Sequence, residues 1–241
     1  MNHPANKQTH KLNFYATPEH ACTYLPGRQA TTLFADPGFS MDRHIYTQLV
    51  AKGFRRSGEY LYRPWCNSCN ACVPVRIPVR DHVMRRKHAR VWKRNQDLTI
   101  TCKPAVFEEA HFELYCRYIN TRHKDGGMDN PGKKDYMGFL GSSWMDTVFY
   151  EMNLGDQLLA VSVVDQLDNG LSAVYTFFHP DYEKRSLGTY SILFEIQEAA
   201  QLGLDWLYLG YWIEGCAKMA YKNQFNPAEY LQDNVWMRDE S

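Results

Sequence analysis

"YTFFHPDYEKRSLGTYSILFEIQEAAQLGLDWLYLGYWI" occupies Tyr175–Ile213. It opens as a strand, stops at Pro180 and passes into the polar loop "EKRSLGTYS" (Glu183–Ser191). Apolar residues then fall at Ile192, Leu193, Ile196, Ala199 and Ala200, the spacing of one helix face, and Gly203 supplies the C-terminal stop. "DWLYLGYWI" (Asp205–Ile213) is a short apolar and aromatic run, which predicts a buried strand.

Upstream, "TVFYEMN" (from Thr147), "QLLAVSVVDQL" (from Gln157) and "LSAVYTFFHP" (from Leu171) are β-rich runs with the turn signals "LGD" and "DNG" between them. They predict an antiparallel meander. Downstream, "CAKMAYKNQF" (Cys216–Phe225) predicts a last helix. Three strands, a glycine-containing loop, helix, strand, helix is the order of an α/β (α+β) domain of the acetyltransferase-like (GNAT-like) kind, a mixed sheet flanked by helices. Fold by itself assigns no chemistry.

The chain has 241 residues, enough for one large domain or two small ones. Net charge is zero, so bulk charge names no partner. No apolar run approaches the roughly 20 residues that span a bilayer, and "MNHPANKQTHKLNFY" lacks the apolar core of a signal peptide. Seven cysteines, an odd number, fit a reducing compartment better than a disulfide framework. A cytoplasmic monomer without a membrane partner is the simplest expectation. Composition shifts near residue 100. Residues 1–100 form a Cys-, Pro- and Arg-rich N-terminal region and 101–241 the α/β domain, the two packing as one unit. "VPVRIPV" (Val73–Val79) carries prolines at 74 and 78, which predict an edge strand or irregular ribbon. "EEAHFELYCRYINTRH" (Glu108–His123) predicts a helix, ended by "KDGGMDNPG".

Four stretches carry candidate chemistry. In the Glu183–Ser191 loop, Gly188 admits a ligand to the backbone at a helix N-terminus and Arg185 adds an anion contact; a plain helix cap is the alternative. "RDHVMRRKHARVWKRN" (Arg80–Asn95) holds seven Lys/Arg against one Asp, which favours a polyanion over a solvated face. Trp92, His82 and His88 are candidates to stack or anchor there. "CNSCNAC" places Cys66, Cys69 and Cys72 at steps of three, with Cys22 as a fourth metal ligand; small buried thiols packing a loop are the alternative. Cys102, Cys116 and Cys216 sit in apolar patterns and read as core. "LYLGYWIEGCAKMAYKNQF" (Leu207–Phe225) gathers Tyr211, Trp212, Glu214, Lys218, Tyr221 and Lys222 around a strand end, with Lys218 and Lys222 on one helix face.

"GFRRSGEYLYRP", "CVPVRIPV", "RRKHARVWKRN", "YINTRHKDGGM", "YTFFHPDYEKRSLGTYSILFEI" and "LYLGYWIEGCAKMAYKNQFNPAEYL" together resemble the tRNA-dependent arginyltransferase/leucyltransferase family of the N-degron pathway, from about Leu25 to Leu231. The short length and three-cysteine knuckle are similar to its bacterial, leucine-transferring branch. The resemblance implies an acetyltransferase-like fold. It also implies transfer of leucine from leucyl-tRNA to proteins beginning with Asp or Glu. The eukaryotic branch moves arginine and has a Cys-x-x-Cys and a Cys-Cys pair; this chain has a lone Cys22 with Cys66, Cys69 and Cys72. Zinc or iron–sulfur ligation at those four stays open, and the reaction itself requires no cofactor.

That reaction is aminolysis of an ester. The acceptor's α-ammonium, with pKa about 8, loses a proton before attack. The ester carbonyl develops an oxyanion and the tRNA 3′-hydroxyl takes a proton back. Tyr175, Tyr211, Glu214 and Lys218, at predicted strand ends, are the candidates for proton handling, with Asp165 as another. The acceptor's carboxylate calls for an arginine: Arg76 first, Arg185 second. Aromatics of "YTFF" and "LGYW" are candidates to line the leucyl pocket. Arg85, Arg86, Lys87, Arg90, Lys93 and Arg94, with Arg185, Ser186 and Gly188, would hold the tRNA. An arginyl donor, an acyl-CoA N-acetyltransferase and a metal-knuckle RNA-binding protein are the alternatives. Tyr190 stands where CoA-binding loops usually have a small residue.

Overall fold

The protein is described by a computed structural model for residues 11–122 and 130–238. In chain order, strands β1 (Phe14–Ala16), β2 (His20–Ala21), β3 (Gln29–Ala30) and β4 (Thr32–Ala35) precede helix α1 (Arg43–Ala51). Next come β5 (Arg55–Ser57), β6 (Tyr60–Pro64), β7 (Val73–Pro78), α2 (Arg86–Arg94), β8 (Thr99–Pro104), α3 (Glu109–Arg122) and α4 (Lys133–Leu140). The meander β9 (Thr147–Leu154), β10 (Gln157–Gln166) and β11 (Gly170–Phe178) leads into α5 (Leu187–Gln201). Strand β12 (Trp206–Trp212), α6 (Ala217–Ala220) and a hairpin of β13 (Glu229–Gln232) and β14 (Val235–Arg238) close the chain.

An eight-stranded mixed sheet runs β14-β13-β7-β12-β11-β10-β9-β8, and helices flank it, as the element order predicts for an acetyltransferase-like domain. Strand alternation sorts the two faces. Val161 and Val163 of β10, with Phe177 of β11, pack against Leu114, Tyr115 and Ile119 of α3. Val164 and Leu171 pack instead against Ile192, Leu193 and Ile196 of α5. The apolar stripe read from α5 is therefore the stripe that is buried. A second sheet, β1-β4-β6-β5, is built from the N-terminal region.

Several expectations are corrected. β7 is not an edge strand: it lies between β12 and β13, and so joins the N-terminal region to the larger sheet. Its prolines are tolerated because the β13 ladder covers only Val75 and Arg76, leaving Pro74 and Pro78 outside it. The predicted last helix is a four-residue α6 followed by a 3₁₀ turn over Tyr221–Gln224. Within the basic segment Arg80–Asn95 the α-helix spans only Arg86–Arg94. Cys102 is exposed on edge strand β8 and is not core. The "KDGGMDNPG" loop lies mostly outside the described residues. No helix among the described residues is long and apolar enough to cross a membrane.

Candidate active site

β11 and β12 are parallel neighbours over only three residues, Gly170–Ser172 with Trp206–Tyr208. Beyond that the two strands part, and Arg55 from β5 fills the fork. Its Nη2 donates to the Ala173 carbonyl at 2.6 Å. Gly210 makes the room: its φ is +79°, and a Cβ there would stand 2.8 Å from the Arg55 Cζ. A register shift in the β12–β7 ladder accompanies this close approach. Ala173 to Thr176, just past the fork, are only partly buried. The Arg55 Nη1 is buried without a hydrogen-bond partner.

Two titratable groups flank this arginine with their ordinary protonation inverted. Glu195 of α5 is 0% exposed, and neither carboxylate oxygen has a hydrogen-bond partner. Burial pushes its pKa up to about 8, against smaller opposing effects of Ser162 and Arg55. Lys222, 7% exposed, donates from Nζ to the Tyr211 carbonyl at 2.8 Å. Burial, and next the Arg55 charge, bring it down to about 7. Near neutral pH Glu195 is thus largely a protonated carboxylic acid and Lys222 is in part a neutral amine, a general acid and a general base in waiting.

The candidates from sequence are distributed differently. Arg76 is spent within the fold: Nε and Nη2 both donate to Glu229 Oε2, at 2.9 and 2.8 Å, and its guanidinium lies over Trp206 and Trp236. Arg185 makes a two-pronged pair with Asp97, 2.8 Å on each prong, which holds the Asp97 carboxyl below its ordinary range. Asp165 faces the interior, where Arg56 grips both of its oxygens at 2.7 Å. Tyr211 donates to the Gly53 carbonyl at 2.8 Å, and burial holds its phenol far above ten. Tyr175 packs against Tyr115, Tyr118 and Phe139, and burial raises it too. These five side chains are engaged in structure and are not open to a substrate in the way expected. Glu214 and Lys218 are exposed beyond the end of β12. Phe177 of "YTFF" is core, not a leucyl pocket wall.

Arg85, Arg86, Lys87, Arg90, Lys93 and Arg94 are all exposed along one edge of the site. α2 packs on α5, with Trp92 against Tyr190, and reaches the 3₁₀ turn that carries Lys222. Lys87 Nζ donates to Gln224 there at 2.9 Å. His88 and Trp92 point inward and offer no platform for bases; His88 is buried and stacked on Phe225. Ser186 takes left-handed φ as the N-cap of α5, and Gly188 lies against Phe178.

Cys22, Cys66 and Cys69 all lie close enough to Cys72 to raise its thiol, which burial first pushes toward about 12. Cys216 adds to the same effect, so it neighbours the knuckle and is not core. Four thiols are a soft donor set of the kind zinc and iron–sulfur clusters take. Among the described residues, the donor atoms that meet within 4.8 Å belong instead to Glu108, His111 and Glu151. Lys103 already supplies a cation there, at 3.1 Å from Glu108 and 2.9 Å from Glu151. The knuckle also borders the fork: the phenol of Tyr24 feels both Cys72 and Arg55.

The family model described as Arginine-tRNA-protein transferase, N terminus, matches residues 20–90, and that described as Arginine-tRNA-protein transferase, C terminus, matches residues 110–232. An aspartate/glutamate leucyltransferase of Pseudomonas putida (strain W619) is 52% identical over 94% of this chain and 97% of its own length. One of Alcanivorax borkumensis is 50% identical, covering 93% of each chain. Among solved structures, "The structure of L-PGS from Bacillus licheniformis" is similar at a TM-score of 0.45 and 9% identity, over 58% of this chain and 45% of that one, too slight a likeness to bear on function. With both of its models matched in order along one chain, and relatives at half identity over nearly the full length, this protein belongs to the arginine-tRNA-protein transferase family.

Proposed function

We propose that the chain transfers leucine from leucyl-tRNA to the N-terminal α-amino group of proteins beginning with Asp or Glu, marking them for N-degron degradation. The observation that carries this reading is its similarity to aspartate/glutamate leucyltransferases over nearly its entire length. The forked site supplies chemistry that suits it. Lys222, as neutral amine, takes the proton from the acceptor's ammonium, whose pKa of about 8 is close to its own. The freed amine attacks the leucyl ester carbon. The adduct nitrogen passes its surplus proton to Glu195 as that residue, a neutral acid, gives its own to the departing tRNA 3′-oxygen. One C–N bond forms, one C–O bond breaks, and no covalent enzyme intermediate is needed because the ester is already activated.

The tRNA acceptor end comes in along α2, whose five cations, with Arg85 at its N-cap, grip phosphates, and over Arg185, Ser186 and Gly188 at the N-terminus of α5. Charged tRNA is cytoplasmic, and the reading places the protein there. The test mixes purified protein, leucyl-tRNA and a peptide beginning with Asp or Glu, with arginyl-tRNA in parallel. Leucine appears on the peptide, and the apparent affinity for tRNA falls steeply with salt, by roughly one power of concentration per phosphate contact. An arginylated product in place of a leucylated one moves the donor to arginine.

Cys22, Cys66, Cys69 and Cys72 would hold a structural zinc ion or iron–sulfur cluster, bracing the loop that leads into β7 beside the fork. Such a group contributes folding energy, and no step of the transfer passes through it. Metal analysis of protein purified without chelator is expected to find zinc, or an iron–sulfur chromophore, at about one per chain, and to lose it in Cys72→Ala. Metal-free protein of full activity contradicts the assignment.

A further inference from the structure

We propose that Arg55 reads the acceptor's acidic side chain, its guanidinium receiving the Asp or Glu carboxylate at the fork between β11 and β12. The inference rests on the transfer reading and names the residue that gives it its acceptor specificity.

Three other arginines are already satisfied. Arg56 has Asp165, Arg76 has Glu229 and Arg185 has Asp97. Arg55 pairs with no carboxylate among the described residues, and its Nη1 is buried and unpartnered. Arg55 as a whole is half-buried, and a buried donor left without an acceptor is costly, so its Nη1 calls for a partner. Glu195, within reach of the Arg55 charge, is held mostly protonated at neutral pH and so does not cancel it. A fixed, half-buried cation lacking a carboxylate partner, beside the partly buried residues Ala173–Thr176, is the complement of an anionic ligand.

The guanidinium is also oriented. Its bond to the Ala173 carbonyl and its contact with Gly210 fix the plane of the fork. A rigid planar donor pair discriminates a carboxylate from an amide, which offers one oxygen and an N–H. The cavity behind the arginine, bordered by Val50, Pro74, Val75 and Trp236, has a volume of about 10 Å³. That is room for one water and not for a carboxylate, so we place the ligand on the other side of the guanidinium, toward the partly buried Ala173–Thr176. In an N-terminal Asp the carboxylate is one methylene from the carbon that bears the α-amine. Seating it on Arg55 therefore leaves the amine a few bonds away, and Lys222 is within range of the same charge. Glu, one methylene longer, keeps the same arrangement.

The experiment compares kcat/KM for Asp- and Asn-initiated peptides in wild type and in Arg55→Gln. The preference for Asp is expected to fall about 100-fold in the variant, chiefly through KM, as when one partner of a desolvated charge pair is removed. Leucyl-tRNA binding is expected to be unchanged. An unchanged Asp:Asn ratio overturns the inference. If Arg55→Gln does not fold, the Arg55 Nε–H resonance in the native protein decides: it shifts with saturating Asp-peptide and not with Asn-peptide, and the absence of a shift overturns the inference. Wild type that transfers no leucine to either peptide defeats the transfer reading itself, a separate outcome.

Discussion

Asp165→Ala will cost the protein about 3–5 kcal/mol of stability, the usual consequence of stripping the partner from a buried charge. Both side chains of the Arg56–Asp165 pair are 0% exposed, so no water replaces the lost carboxylate. Asp165 also accepts from the Thr147 hydroxyl at 2.7 Å and from the Tyr46 hydroxyl at 3.1 Å. Arg56 in turn donates to the carbonyls of Gly58, Leu140 and Gly141, each at 3.0 Å. One ion pair thus binds β5, the end of α4, β9 and β10 to one another, and β5 is the strand that carries Arg55 on its opposite face. For a chain of this size the cost corresponds to a melting temperature lower by roughly 10 °C. The double variant Arg56→Met, Asp165→Leu is expected to recover most of the loss, since apolar side chains of similar volume need no counterion. A loss below about 1 kcal/mol for Asp165→Ala means that the pair is wet, and the staple described here is then wrong.

Lys222→Met will lower kcat by about 10²–10⁴, the range for a positioned general base, while leaving the fold intact. The sign of the pH effect separates chemistry from structure. The folded pKa of Lys222, about 7, lies below the ordinary lysine value of 10.5. Any stability it contributes is therefore complete above that ordinary value and is lost as pH falls through about 7. Methionine removes this dependence, so the variant is expected to be at least as stable as wild type at pH 6. It is inactive for want of a base and not for want of a fold. Wild-type kcat is expected to rise with pH through a limb near 7, as Lys222 deprotonates, and to fall through one near 8, as Glu195 ionises. The pair titrates as a set, so each limb belongs to the site and is assigned by its loss: the lower in Lys222→Met, the upper in Glu195→Gln. A Lys222→Met enzyme with undiminished kcat removes the lysine from the mechanism.

The parts of the fold legible in the sequence are those whose signal is local. The meander announces itself by β-rich runs between turn residues, and α5 by five apolar residues on one face. The interior place of β7 is not legible, because its prolines argue against an interior strand and their exemption depends on how few residues β13 pairs with it. The same distance in sequence hid the satisfied arginines. Arg76 and Arg55 both look available in a linear reading; only folding shows that Glu229, 153 positions away, has taken the first. Lys218 and Lys222 share a face on an ideal helix, but the change to a 3₁₀ turn at Tyr221 leaves one exposed and the other buried. Glu195 did carry a readable sign: a carboxylate three positions after Ile192 and one before Ile196, on a helix whose apolar stripe faces the sheet. The basic helix was legible as a surface because charge density needs no partner to be seen, whereas the inward turn of His88 depends on Phe225.

The central claim is a donor, an acceptor and a transfer, and one measurement reaches all three. Purified protein is given leucyl-tRNA or arginyl-tRNA and peptides that differ only in a first residue of Asp, Glu, Asn or Gln, and the products are weighed by mass spectrometry. The account predicts a gain of one leucine on the Asp and Glu peptides with leucyl-tRNA, and little on the two amides. Unmodified Asp and Glu peptides beside intact leucyl-tRNA and a working control enzyme contradict it.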